Sequence, residues 1–511
     1  MASEYALEMR GITKVFGSVV ANEDVNFKVR RGEVHALVGE NGAGKSTLMK
    51  ILFGLYQPDA GEVFLNGKRV VVRDPSDAIK LNIGMVHQHF MLVPSFTVAQ
   101  NMILGVEPTK GVKLDLAAAE ERIRELSNAC GFTIDPKARI RDCPVGVQQR
   151  VEIMKALYRG ADLLILDEPT SVLTPDEAEE LFEIMRTLTR QGKTIIFITH
   201  KLREVMATAQ HVTVLRKGRT VTTVPIDETC EEDLALHMVG RKVELYSGKD
   251  SVKQGEAIVN VDNLWAADQY GRWRLRDIGF QVRAGEILGI AGVAGNGQDE
   301  LVDVLMGLKK PSRGRIRIDG QDVTGKTSDV VRSLGVGYIP EDRYERSMIR
   351  DASVAENMLL GFEHDERFNG FGLKLDAIRK WADELVHEFD VQPPLLDIPA
   401  RSLSGGNAQR AVMAREFALS KRVIIACQPS HGLDIGSIDF VHKQLLDRRR
   451  RGYAIILISS DLEEMLYLAD TIAVMYKGEI ISSFPNRDVD EKKMGLLMAG
   501  VRDAEPEEEA R

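Results

Sequence analysis

The chain has 511 residues, 44% of them hydrophobic, which is enough apolar material for two domains of about 240 residues, each with its own core. Its net charge of −9, with Lys and Arg dispersed along the whole length, leaves no electrostatic footprint for nucleic acid. Cys130, Cys143, Cys230 and Cys427 show no C-x-x-C spacing and no secretory leader is evident, which argues for a reducing cytoplasm and against zinc sites or a disulfide framework. No apolar run approaches the roughly 20 residues that span a bilayer.

In chain order, VHALVG (Val34–Gly39) reads as a buried strand that feeds GENGAGKST (Gly39–Thr47), and STLMKILFG reads as the helix that follows. The loop fits G-x-x-x-x-G-K-[ST]: backbone N–H groups of Gly39, Glu40, Asn41, Gly42, Ala43 and Gly44 close around phosphate oxygens, where side chains would obstruct them. Lys45 then reaches the β- and γ-phosphates, Ser46 offers its hydroxyl to Mg²⁺, and Thr47 closes the motif. Phe16 precedes the loop at a distance suited to adenine stacking or to ordinary core packing. Gln88, in MVHQHF, is a candidate sensor of Mg²⁺ and water.

Between Phe90 and Asp142 the pattern turns helical, with AAAEERIRELSNA amphipathic, which suggests a helical insert in an α/β core. LLILDEP (Leu163–Pro169) and TIIFITH (Thr194–His200) are apolar strands with polar C-terminal ends, where open α/β sheets put their ligand chemistry. Asp167 is a candidate metal acid, Glu168 a general base for an attacking water, and His200 a γ-phosphate contact.

The chain then repeats itself. GVAGNGQDE (Gly292–Glu300) follows the frame of the first loop at an offset of 292 − 39 = 253, and the same offset relates Gly61 to Gly314 and Gln88 to Glu341. The offset steps to 354 − 98 = 256 at VAQNMILG and VAENMLLG, then to 404 − 144 = 260 at PVGVQQR and SGGNAQR. It holds there for Asp167 with Cys427, Thr174 with Asp434, His200 with Ser460 and Met238 with Met498. The expected organisation is residues 1–244, a linker over 245–256, residues 257–502 and an acidic tail over 503–511. Arg448–Arg451 reads as a solvated helix end before Gly452.

LSGGN (Leu403–Asn407), inside a duplicated P-loop domain, resembles the signature of ABC transporter ATPases, and the resemblance runs from the region of Phe16 to that of Met498. It implies two tandem α/β domains, each a RecA-like core with a β subdomain and an inserted helical subdomain. It also implies that the halves close head to tail, so that each ATP lies between one P-loop and the other half's signature. One site would then combine Lys45, Ser46, Gln88, Asp167, Glu168 and His200 with Ser404, Gly405, Gly406, Asn407 and the D-loop Asp434. The other would be degenerate: Gln298 and Asp299 stand for the Lys and Ser/Thr, Glu341 for the Gln, Cys427 and Gln428 for the Asp and Glu, Ser460 for the His, and Pro144 for the signature serine.

Tandem halves without membrane spans, YIPEDR (Tyr338–Arg343) and the degenerate second P-loop resemble the ATPases of bacterial importers for simple sugars and nucleosides. ACQPSHGLDIGSIDFVHKQL (from Ala426) and the segment from Val145, with Thr174 in the D-loop, are similar to the nucleoside branch, which works with a basic-membrane-protein-type lipoprotein. The function so implied is ATP- and Mg²⁺-dependent uptake of nucleosides through separate transmembrane permease subunits, from the cytoplasmic face of the membrane, with a substrate-binding lipoprotein or periplasmic protein as an indirect partner. The alternatives are a ribose, galactose or xylose importer, or a soluble ABC ATPase acting on ribosome or DNA. The segments after Gln88 and Glu341, including apolar MLVPSF (Met91–Phe96), are the expected permease-docking surfaces.

Overall fold

In the computed structural model, which describes residues 4–500 apart from 18, 88, 89, 112, 133, 171, 172, 174, 242–248, 294, 364, 371, 488, 490 and 499, the chain divides into two units, made mainly of residues 1–243 and 244–511. Each unit begins with a pair of long antiparallel strands, Tyr5–Phe16 with Val19–Arg30 in the first and Ala257–Ala267 with Trp273–Arg283 in the second. Each pair is extended to a four-stranded antiparallel sheet by a hairpin, Ala60–Leu65 with Lys68–Val70 or Arg313–Ile318 with Gln321–Asp322.

The second sheet of each unit has six strands. In the first unit their order is Ile83–Val86, Leu163–Asp167, Thr194–Ile198, Val34–Val38, His211–Arg216 and Arg219–Pro225. All neighbours pair in parallel except the last two. The second unit keeps this order with Val336–Ile339, Val423–Cys427, Ala454–Ser459, Ile287–Ala291, Thr471–Tyr476 and Glu479–Pro485. Parallel strands covered on both faces require continuous apolar runs, and VHALV, LLILD, TIIFI and VIIAC are buried at every position.

The two faces take alternate residues. Ile287, Ala291, Ile424, Ala426, Ile455 and Leu457 point into the core shared with the helices of the insert. Leu288, Ile290, Ile425, Cys427, Ile456 and Ile458 point into the core shared with the antiparallel sheet and the helix Gln298–Leu305. Each Ile or Leu among them contributes about 1.5–3 kcal/mol of burial.

The helical insert lies between the edge strand and its neighbour. It comprises Val98–Ile103, Leu116–Cys130 and Val145–Tyr158 in the first unit, and Arg343–Arg346, Val354–Leu359, Leu375–Glu388 and Gly405–Leu419 in the second. A reciprocal capping box opens the repeated helices, Thr97 with Gln100 and Ser353 with Glu356. A small hairpin, Thr109–Lys110 with Lys113–Leu114, interrupts the first insert, which helical periodicity alone gave no reason to expect. The second unit has there a cluster of Phe362, Phe368 and Trp381, with ring centroids 4.7–6.3 Å apart.

Arg448–Arg451 departs from the expectation of a solvated helix end. Arg450 and Arg451 are exposed, but Arg448 is buried beside the Phe417 ring, and Arg449, only 3% exposed, makes a two-pronged pair with Asp470 at 2.8 and 2.7 Å. The Asp470 carboxylate also accepts from the Ile287 N–H at 2.9 Å, so this pair anchors the start of a central strand. Lys249 Nζ also reaches Asp470 Oδ1, at 2.9 Å, so removing Arg449 leaves that carboxylate with one cation and costs about 1.5–3 kcal/mol, the worth of a hydrogen bond to a charged group. Arg449→Ala is therefore expected to destabilise the second unit by about that amount, read as a lowered denaturation midpoint, whereas Arg451→Ala leaves the midpoint within about 0.5 kcal/mol.

Candidate functional site

The site of the first unit is built at the C-terminal ends of its parallel strands. Strand Val34–Val38 runs into a loop whose two tight points admit only glycine. A Cβ on Gly39 would lie 2.3 Å from the Leu215 carbonyl oxygen, and Gly44, at φ 99°, would place one 2.4 Å from the Ala21 carbonyl oxygen. Asn22, fully buried, donates its side-chain amide to the Gly44 carbonyl at 3.2 Å. Gly44 also starts the helix Lys45–Leu52 without a side-chain cap, so the first N–H groups of that helix are available to an anion.

Lys45 is 5% exposed, and its Nζ donates to the carbonyls of Gly39 at 2.6 Å and Glu40 at 3.0 Å. Burial lowers its pKa, an effect that the charges of Glu168 and Asp167 oppose. Ala43 is buried against the core, while Asn41 and Gly42 form the exposed crest of the loop and Thr47 is half-buried. A buried cation, uncapped helical N–H groups and a glycine-lined crest fit the phosphates of a nucleotide.

Asp167 ends the strand Leu163–Asp167, with Oδ1 3.5 Å from the Ser46 hydroxyl. Burial and the neighbouring Glu168 push its carboxyl above the usual range. Glu168 itself takes a left-handed turn at φ 48°, held by its N–H donating to the Ile198 carbonyl at 2.9 Å. That turn brings Oε1 to 3.3 Å from His200 Nδ1. Burial would raise the Glu168 pKa, but the hydrogen bond and charge of His200, together with Lys45, leave it below the usual carboxylate value. Glu204, buried, accepts from Thr170 at 2.8 Å and Thr199 at 3.1 Å, bracing the segments on either side of this pair.

The structure therefore joins Ser46 to Asp167 and Glu168 to His200. Phe16 is an exposed strand-end aromatic in edge contact with Tyr56, ring centroids 5.1 Å apart. Gln88 and Thr174 lie outside the described residues. Met91 projects into solvent while its backbone is held by Glu152 at 2.6 Å and Lys155 at 3.1 Å. Asn22 and Glu204 escaped sequence reasoning, since nothing in VANED or LREV marks a buried polar brace.

The second unit preserves the backbone and loses the chemistry. Gly297 at φ 109° starts the helix Gln298–Leu305 as Gly44 starts its counterpart. Gln298 donates to the Val293 carbonyl at 3.2 Å, and its Oε1 is buried without a partner among the described residues. Burial raises the carboxyl of Asp299 and, more strongly, the thiol of Cys427, so a neutral thiol stands at the strand end in place of a metal acid. Gln428 repeats the left-handed turn at φ 45° and meets Ser460 Oγ at 3.0 Å, the same geometry without base or imidazole. Glu341 pairs with His431 at 3.1 Å.

The signature segments differ in the opposite sense. Ser404 caps the helix Gly405–Leu419, its Oγ accepting from the Asn407 backbone N–H and from Asn407 Nδ2 at 2.9 Å; Gly406 is buried, and Asn407 Oδ1 accepts from the Gln392 N–H. In the first unit Pro144 starts Val145–Tyr158 with no side-chain cap. Asp434 follows buried Leu433 and directly precedes the helix Ile435–Arg450.

Comparison with known proteins places these two units. The ABC transporter family model matches residues 22–171 and 275–430. The chain belongs to the ABC transporter family. This ABC protein is 45% identical to the guanosine import ATP-binding protein NupO of Bacillus subtilis over 97% of its own length and 98% of that protein. It is 44% identical to the nucleoside import ATP-binding protein NupA of Lactococcus lactis (98% and 99%), and 44% identical to the glucose import ATP-binding protein TsgD13 of Haloferax volcanii (99% and 97%). A solved complex of the archaeal ribosome recycling factor aABCE1 with the stalk protein aP1 superposes with a TM-score of 0.63 at 19% identity, over 96% of this chain and 92% of that one, a likeness of fold. As an ABC transporter ATPase the chain binds and hydrolyses ATP. Among the described residues no helix is long and apolar enough to cross a membrane.

Two outcomes follow for the first unit. Glu168→Gln, which keeps the turn and removes the base, is expected to lower the steady-state ATPase rate by about 10²–10⁴-fold while ATP still binds. His200→Ala removes the partner that lowers the Glu168 pKa. Because the base works only when ionised, the acidic limb of the residual rate against pH then moves to higher pH than in the parent; limbs at one pH would separate the two residues.

Proposed function

We propose that this ABC ATPase is the ATP-hydrolysing subunit of a nucleoside importer, working on separate permease subunits at the cytoplasmic face of the membrane and, through them, with a substrate-binding protein. The observation that carries this reading is full-length similarity, at 45% and 44% identity, to proteins named for guanosine and nucleoside import, together with a first unit in which every described catalytic group is present. The domain limits proposed are 1–244 and 257–502, joined by 245–256.

In this reading Lys45 and the helix N-terminus bind the β- and γ-phosphates, and Glu168, oriented by His200, accepts a proton from the attacking water. Ser46 and Asp167, with Gln88, would hold Mg²⁺, which neutralises phosphate charge when bound. The ATP held on the first P-loop is completed by Ser404, Gly405, Gly406, Asn407 and Asp434. The pattern of losses supports that pairing, because the half with the intact P-loop carries the defective signature at Pro144 and the half with Gln298, Asp299, Cys427, Gln428 and Ser460 carries the intact one. Phe16 would stack on the base.

The 44% identity to a glucose import protein favours a second reading, a sugar as cargo. Uptake of labelled guanosine and labelled glucose, measured in a deletion strain complemented with the parent gene or with Glu168→Gln, separates them. Restoration of guanosine uptake by the parent alone is expected, and restoration of glucose uptake instead would reject the nucleoside assignment.

A further inference from the structure

The second unit carries a four-residue helix, Arg343–Arg346, in a segment longer than its first-unit counterpart, 354 − 341 = 13 residues against 98 − 88 = 10. Its fold is set locally, by Asp342 Oδ1 accepting from the N–H groups of Tyr344 and Glu345 at 3.0 Å. Its side chains grip separate parts of the same unit. Arg346 lies 3.6 Å from Asp303 on the helix that follows the second P-loop. Tyr344 Oη donates at 2.9 Å to the carbonyl of Leu403, the residue before Ser404. Arg343 donates at 3.2 Å to the His431 carbonyl, and its Nη2 lies 3.4 Å from where a Cβ on Gly405 would stand. Glu341 holds His431 from the other side at 3.1 Å.

The helix after the second P-loop, which Arg346 meets at Asp303, differs in charge from its first-unit counterpart. Asp303 occupies the position of Lys50 (50 + 253), Asp299 that of Ser46 and Gln298 that of Lys45. Carboxylates stand where the first unit offers a cation and a hydroxyl, so a triphosphate meets repulsion, and Lys309, 2.8 Å from Asp303, and Arg346 bring compensating cations from within the chain. Where a bound γ-phosphate orders switch segments in nucleotide hydrolases, its removal lets them loosen. Here side chains make the ties permanently.

We propose that Glu341–Arg346 is a built-in clamp that holds the second unit's signature loop against its own core without nucleotide, with Tyr344 and Arg343 as positioning residues for Ser404–Asn407. The catalytic consequence, though not the clamp itself, rests on the reading that this signature completes the ATP bound by the first unit. The test is amide hydrogen exchange of the full-length chain in the absence of nucleotide. Tyr344→Phe, which removes one hydroxyl, and Arg343→Gln are each expected to speed exchange at the start of the helix Gly405–Leu419 by about 2- to 12-fold, the worth of one hydrogen bond. Exchange in the strand Val423–Cys427 should stay at the parent rate, a check that the unit remains folded. Unchanged exchange at the signature in Tyr344→Phe overturns the clamp. In the ATPase assay Tyr344→Phe should lower kcat by a similar factor at constant KM for ATP. Faster exchange with an unaltered kcat upholds the clamp and instead removes the cross-half pairing.

Discussion

A buried ammonium organises the first unit's site. Lys45 leaves water only because the carbonyls of Gly39 and Glu40 replace its hydration, and those carbonyls point inward only because the loop bends at glycines. The loop is thereby wrapped around a cation before any phosphate arrives, so little reorganisation is left for binding. Asp167 and Glu168 lie close enough to balance that charge, which ties the end of one strand to the loop after another.

The same constraint explains how the duplicate lost its chemistry while keeping its shape. A neutral amide at Gln298 reaches one loop carbonyl as the ammonium reaches two, and the left-handed turn of Glu168 recurs in Gln428. Backbone geometry here depends on glycine positions and on hydrogen bonds that either an amide or a charged group can make. Catalysis depends on charge, which four substitutions removed without disturbing the packing of the sheet beneath them.

The parts legible in the sequence were those with strong local determinants. The doubly buried strands announced themselves as unbroken apolar runs, the P-loop as a glycine pattern after one of them, and the repeat as fixed offsets. The illegible parts were those decided by contacts distant along the chain. Nothing in RRRR distinguishes the buried Arg449 from the exposed Arg451; only the position of Asp470 across the core does. Asn22 under Gly44, and Glu204 between two threonines, are likewise braces whose partners sit on other elements.

The strand order has a consequence for how the protein is made. Val34–Val38 lies between Thr194–Ile198 and His211–Arg216, so neither of its neighbours has been synthesised until at least 194 − 38 = 156 residues after it. During translation at about 5–20 residues per second, this largely apolar strand waits roughly 8–30 seconds with unpaired edges. The second unit repeats the problem, because Ile287–Ala291 waits for Ala454–Ser459 and Thr471–Tyr476. Such non-local pairing is slow and exposed to aggregation, so each half passes through a vulnerable nascent stage that a holding chaperone would shorten or shield.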